Sequence, residues 1–348
     1  VSAVLLLVLS LPLAFAAGMA AQKGSICAVA AVNDLMTGKG ARHLLSILAC
    51  SLWVAAVTVP LHWLNPEGAD LAYSLPVSGS LLLGGLLFGA GAAINRGCAF
   101  STLSRCSAGD LSHLATALGL GLGLLGLAQW RGLAAEVPKL DRLSPFDRPH
   151  VWSALLVLVL VWFGAMLMAK LIRHRAWRDA WTRPAWNPFA ATAIIGVAGG
   201  TLYALHGPWM YTSLLPRLLG QPVSPDGLPG WAVLVLMLAV LAGGGTAARL
   251  AGRRGLRFAP ARALRCLCGG TAMGAGGALA YGGNDVLVLH SLPALAAHAV
   301  PGYLAILAGA ALVLGGKRLL GMGVNRSRHP AGTGQGADAK PGRIARPG

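Results

Sequence analysis

Long runs of apolar residues, broken at regular intervals by short polar or glycine-rich segments, dominate this chain. Runs of about twenty residues, the length that crosses a bilayer as helix, recur near 1–20, 43–64, 77–95, 111–130, 151–172, 189–206, 231–250, 263–281 and 298–320. None alternates with the period of a membrane β-barrel. The pattern predicts an all-α integral membrane protein of about nine transmembrane helices. The opening run "VSAVLLLVLSLPLAFAAG" has a small-residue end like a signal peptide, but no basic segment precedes it, so it is read as the first span.

Several polar breaks fall where a helix would otherwise continue. "INRGCAFSTLSRCSAGD" (94–110) holds two arginines, two cysteines and an aspartate. "AQKGSICAVAAVNDLM" (21–36) is similarly polar, and His206–Tyr211 and "GGND" (282–285) complete the set. Irregular backbone at membrane depth survives only where it lines a cavity, so these segments read as re-entrant or broken-helix loops. The Cys27 and Cys98 loops are expected to dip from one face, and the His206 and Asn284 loops from the other.

Two of these regions are related. Gly84, Gly85, Gly89, Gly91 and Gly97 fall on Gly269, Gly270, Gly274, Gly276 and Gly282 at a constant offset (84 to 269), and His113 falls on His298 at the same offset. Gly24 pairs more faintly with Gly207. The chain is therefore expected to form a single membrane domain over 1–320: a first repeat over about 1–132, a linking span at 151–172 and a second repeat over about 189–320. A linking span makes the repeats inverted, which is a transporter architecture. The remaining 321–348, polar and rich in Gly and Pro, reads as a disordered basic tail.

Composition sharpens this picture. The chain is 55% hydrophobic and 11% charged, and its formal charge is +17. In a soluble protein that charge would suggest nucleic acid, but here it is placed by topology. Basic residues collect at 170–183, at 249–265 and from Lys317 onward, in every second connection. By the positive-inside rule the C-terminus is cytoplasmic and the N-terminus outside. No nucleic-acid partner is implied. No phosphate-binding loop, dinucleotide fingerprint or catalytic triad occurs, and no cofactor or metal site is indicated; Cys266-x-Cys268 alone lacks the ligands of a structural zinc.

The candidate substrate pathway consists of Cys27, Arg96, Gly97, Cys98, Gly282, Gly283, Asn284 and Asp285, with Cys106 and His206 as further members. Cysteine within a helix is usually a small hydrophobe, the reading kept for Cys50, Cys266 and Cys268. Cys27 and Cys98 differ because each sits in a polar break. Arg96 and Arg105 either snorkel to the interface or attract an anion. Asp285 is an expensive intramembrane carboxylate that caps a half-helix, accepts a proton or locks the loop to a base. His206, Trp209 and Tyr211 line an equivalent break or anchor it at the interface.

"GGLLFGAGAAINRGCAFSTLSR", "QKGSICAVAAVNDLM" and "GGTAMGAGGALAYGGNDVLVLHSLPALAAHAVPGYLAIL" together resemble the YeeE/YedE family of sulfur-transport membrane proteins, over about 10–320. The resemblance implies a bacterial inner-membrane transporter that takes up a sulfur anion, thiosulfate above all, past cysteines at a constriction. It also implies a cytoplasmic sulfur-carrier or rhodanese-like partner. Cys27 and Cys98 match the cysteines of the family's first two loops. The "GGND" loop matches the last, but carries no cysteine, so a relay of three thiols does not transfer whole. A rival is a membrane-embedded sulfurtransferase carrying a persulfide on Cys98; a transporter, not an enzyme, is the reading adopted.

Overall fold

The structure, a computed structural model, describes residues 3–24, 27–66, 68–69, 71–131, 144–173, 183–207, 209–212, 228–253 and 255–321. The tail 322–348, Glu67, Asp70, Arg217 and Asp226, and the basic residues at 174–182, lie outside the described residues.

The described chain is helical. Its elements are α1 (Ala3–Gly24), α2 (Ala28–Met36), α3 (Arg42–Leu64), α4 (Gly79–Asn95), α5 (Ala99–Ser107), α6 (Leu114–Arg131), α7 (Val151–Arg173), α8 (Pro188–His206), α9 (Gly230–Leu250), α10 (Pro260–Leu279), α11 (Asn284–Val286) and α12 (Ala299–Leu319). A π-helical turn, Leu287–Ser291, continues α11. Among the described residues seven segments are long and apolar enough to cross a membrane, and the protein is an all-α membrane protein. Two of the expected spans are not among the seven. The described side chains of α7 form an apolar helix over Val151–Met166, and α10 opens on "PARALR", whose Arg262 and Arg265 dilute its hydropathy.

Two tightly packed groups of helices form the body. In one, α4 packs on α10 and α12, and α10 also packs on α6; in the other, α1 packs on α8 and α9, and α8 also packs on α3. Helix α7 lies against α3. Without a hydrophobic drive between helices in lipid, close backbone approach through small residues holds such groups together. At the α4–α10 crossing a Cβ on Gly91 would sit 2.6 Å from the Gly269 carbonyl oxygen, and one on Gly276 would sit 2.6 Å from that of Gly84. The offset that relates the two glycine runs exchanges these two contacts: Gly84 with Gly276 becomes Gly269 with Gly91. Many large apolar side chains point outward, among them Leu83, Leu118, Leu158 and Leu238, as a lipid-facing surface requires.

The breaks repeat at the level of the backbone. Helix α4 ends with Arg96 in the left-handed region (φ 63°), and α10 is followed by Tyr281 at φ 58°. The next residues close a Schellman-type bond: Gly97 N–H donates to Ala92 O and Gly282 N–H to Gly277 O, both at 2.8 Å. Cys98 and Gly283 then have the same extended ψ, −174°. Their carbonyls accept from Thr102 and Leu287 to start the following helix, both at 3.0 Å. A left-handed conformation is costly for a bulky residue such as Tyr281, and Gly282 at φ 139° adopts one open only to glycine.

Candidate functional site

Cys27 and Cys98 each occupy the N-cap of a nine-residue helix, α2 and α5 respectively. Both are buried, and none of the six cysteines is in a disulfide. Although far apart in sequence, the two side chains meet within hydrogen-bonding reach. The Cys27 sulfur also faces the backbone of Ala30 and Cys98, and the Cys98 sulfur that of Ser101 and Ala28. Each sulfur lies over the first turn of its own helix and against the other. Two helix N-termini and two soft donors thus converge, an arrangement suited to an anion. The hydroxyl of Ser101 is 3.9 Å from the Cys27 sulfur.

A polar network fixes the Cys98 loop. The Asn95 side-chain amide donates to Gly97 O (2.8 Å) and to Thr102 Oγ1 (3.1 Å), and its oxygen accepts from Thr116 (2.9 Å). Ser101 and Thr102 hydroxyls both donate to Cys98 O. Asn95 is fully buried. Asn95→Leu leaves its partners unsatisfied, and is expected to destabilise the detergent-solubilised protein by about 2 kcal/mol. A thermal unfolding midpoint equal to that of the wild type would show that the network carries no stability.

Two further segments reach the thiols. The Tyr211 hydroxyl points at Ala99 O, 3.4 Å away, and its phenol lies within electrostatic reach of Cys98 and Asp285. Thr212 donates to Asp285 Oδ2. Asn284 and Asp285 are fully buried in the first turn of α11, which packs on α5. Among the described residues neither amide atom of Asn284 has a hydrogen-bond partner, and no side chain pairs with Asp285 Oδ1. The hydroxyls of Tyr203 and Tyr303 and the indole N–H of Trp209 are likewise buried without a partner. Tyr303 lies within electrostatic reach of Cys27 and Cys98. Buried polar groups are normally satisfied, so these unpaired donors and acceptors set this region apart from an ordinary core.

The fold also decides several positions that the sequence left open. Arg96 is exposed; Arg105 is the guanidinium that acts electrostatically on Cys27, and it donates to Arg96 O at 2.9 Å. Arg96, Arg105, Arg262, Arg265 and Lys317 form a mutually interacting basic cluster. Asp110 answers it through Arg262. Burial alone would raise the Asp110 carboxyl, but Arg262, Ser112 and His113 hold it below the ordinary range. Cys106, two turns beyond Cys98 on α5, is half-buried and stands toward Asp110 and Cys266. His206 ends α8 and is engaged with Ser10 Oγ of α1 at 2.7 Å, away from the paired thiols. Gly283 is closely enclosed: a Cβ there would meet the Phe88 ring at 2.9 Å and Asp285 Oδ1 at 2.7 Å. Among the described residues no group of His, Cys, Asp and Glu is arranged to hold a metal ion.

Tyr203, Tyr303 and Asn95 were not singled out by sequence. The two tyrosines sit inside apolar spans and look like packing. Asn95 did carry a signal, an amide that ends an otherwise apolar glycine helix directly before the break.

A search of curated proteins finds no match. The family described as sulphur transport matches residues 23–312, a region that contains both thiols, both left-handed breaks and the Asn284–Asp285 turn. This chain belongs to the sulphur-transport, or YeeE/YedE, family.

Proposed function

We propose that the protein carries thiosulfate into the cell through a constriction formed by Cys27, Cys98, the first turns of α2 and α5, and the Gly282–Asp285 turn. The observation that carries this reading is the meeting of Cys27 and Cys98, each at the buried N-terminus of a short helix. Thiosulfate is a dianion with one soft terminal sulfur. A free cysteine, with a pKa of ~8.5, is mostly protonated near neutrality and is a weak donor. Weak donors offset part of the dehydration cost without trapping the ion, and a conduction path needs sites that can be left. Asn284 supplies a donor where the family's last loop brings a thiol, so the outer part of the path offers an amide to the oxyanion end.

Nine spans in an inverted repeat fit this reading. The paired Schellman-type breaks and the exchanged glycine contacts support it, as do the helix partnerships, in which α1, α3, α4 and α6 correspond to α8, α9, α10 and α12. In this frame the protein lies in the bacterial inner membrane with its N-terminus outside. The basic cluster around Arg105 and Arg265 lies at the cytoplasmic mouth and draws the anion onward. A sulfur-carrier or rhodanese-like protein would consume it there.

The test is uptake of radiolabelled thiosulfate into proteoliposomes, with sulfate as competitor. Saturable uptake that resists an excess of sulfate is expected. No uptake by well-folded protein, or a stable addition of one sulfur to Cys98 seen by mass spectrometry, would replace transport with sulfur transfer.

A further inference from the structure

Passage of an anion leaves Asp285 unexplained. Its carboxylate is fully buried; Oδ2 accepts from Thr212, the backbone N–H groups of Asp285 and Val286 favour the charged form, and among the described residues no side chain pairs with Oδ1. The titratable groups that face it are the phenols of Tyr203 on α8 and of Tyr211 on the 209–212 segment. Helix α5, packed on α11, brings Cys98 and Cys106 toward the same Tyr211. Its own element continues to His290. Among the described residues no basic side chain pairs with it. A negative charge held there is costly, and it would repel a dianion arriving at the neighbouring Asn284. A proton on Asp285 removes both penalties at once.

A polar route leads to it. The His290 ring stacks on Tyr203 with centroids 5.2 Å apart. His290 and His298 interact electrostatically. His298 contacts Ser291 Oγ at 3.2 Å through Nε2, and its Nδ1 accepts from Leu75 N–H at 3.3 Å, in the partly exposed extended segment between α3 and α4. Titratable side chains therefore stand in series between a surface segment and the buried carboxylate.

We propose that Asp285 is the proton-binding group of a proton–anion cotransport cycle, loaded through His298, His290 and Tyr203. This rests on the transport reading above. A proton taken up from the outer face binds an Asp285 oxygen as the anion reaches Asn284, and leaves to the inner face as the anion departs; no bond to sulfur is made or broken. An interior-negative potential opposes uptake of a dianion, and each accompanying proton cancels one of its charges.

The experiment uses the full chain in proteoliposomes, with an entrapped pH-sensitive dye and the potential clamped, recording labelled thiosulfate and internal pH in the same vesicles. Wild-type uptake is expected to acidify the interior and to rise several-fold as the outside is made acidic. Asp285→Asn, a neutral isostere, is expected to lose both acidification and pH dependence, whatever fraction of anion uptake it keeps. Thr212→Val removes the hydroxyl that favours the charged carboxylate, so half-maximal uptake is expected to move to higher outside pH; this variant serves if Asp285→Asn does not fold. Uptake without acidification overturns the coupling and leaves transport standing, as does an Asp285→Asn variant that acidifies like wild type. No uptake by well-folded wild type overturns the transport reading and this proposal with it.

Discussion

Cys98→Ala is expected to lower thiosulfate uptake at least about tenfold in proteoliposomes while leaving the thermal unfolding of the protein nearly unchanged. Alanine keeps the N-cap backbone of α5 and removes only the sulfur, which touches Cys27 and faces the first turn of α2. A lost hydrogen-bond donor in a dehydrated passage is worth about 1.5 kcal/mol, close to one power of ten in rate. Cys98→Ser sharpens the prediction, because a hydroxyl still donates but does not carry sulfane sulfur. Partial activity in the serine variant supports passage by hydrogen-bond exchange. Serine as inactive as alanine, together with a persulfide on the wild-type thiol, identifies a covalent carrier. Uptake untouched by either substitution would assign Cys98 to packing.

Much of this arrangement was legible because it is local. Apolar runs of membrane length, a glycine-rich stretch closing on Arg96–Cys98 and its counterpart closing on Tyr281–Gly283 are properties of short windows. What such windows cannot hold is which break meets which. The contact between Cys27 and Cys98 joins α2 to α5 across the intervening spans, and depends on packing of α5 against α1 and α9. The same limit applies to the two arginines, since the left-handed turn at Arg96 leaves its side chain exposed and gives Arg105 the approach to the thiols. His206 shared the composition of the other breaks, yet is engaged by Ser10, a serine with no distinguishing context in the first apolar run. Tyr203 and Tyr303 are visible only through burial without a partner. The missing third thiol has a local physical counterpart, because Phe88 and Asp285 fill the space a side chain at Gly283 would need.

Gly89→Leu is expected to deprive the protein of its folded state in detergent, whereas the same change at Gly126 is expected to be nearly neutral. A Cβ on Gly89 would lie 1.9 Å from the Ile306 carbonyl oxygen and 2.8 Å from Ala310 N, so the obstacle is the backbone of α12 and no rotamer relieves it. At the related position a Cβ on Gly274 would lie 2.0 Å from Leu120 O. A Cβ on Gly126 would meet none of the other described elements within 4 Å. Overpacking in a rigid core typically costs about 1–3 kcal/mol per site, and here separation of α4 from α12 would also forfeit the close contacts that hold membrane helices together. The α12 shift would carry Lys317 away from Ala93 O and Arg318 from the end of α2, where it donates to Met36 O and Asn33 Oδ1. Loss of α4 packing therefore reaches the helix that carries Cys27. The measurement is the monodisperse fraction after extraction and its unfolding temperature, compared between the two leucine variants. Equal stability of the pair would mean that α4 and α12 do not approach as closely as their backbones indicate.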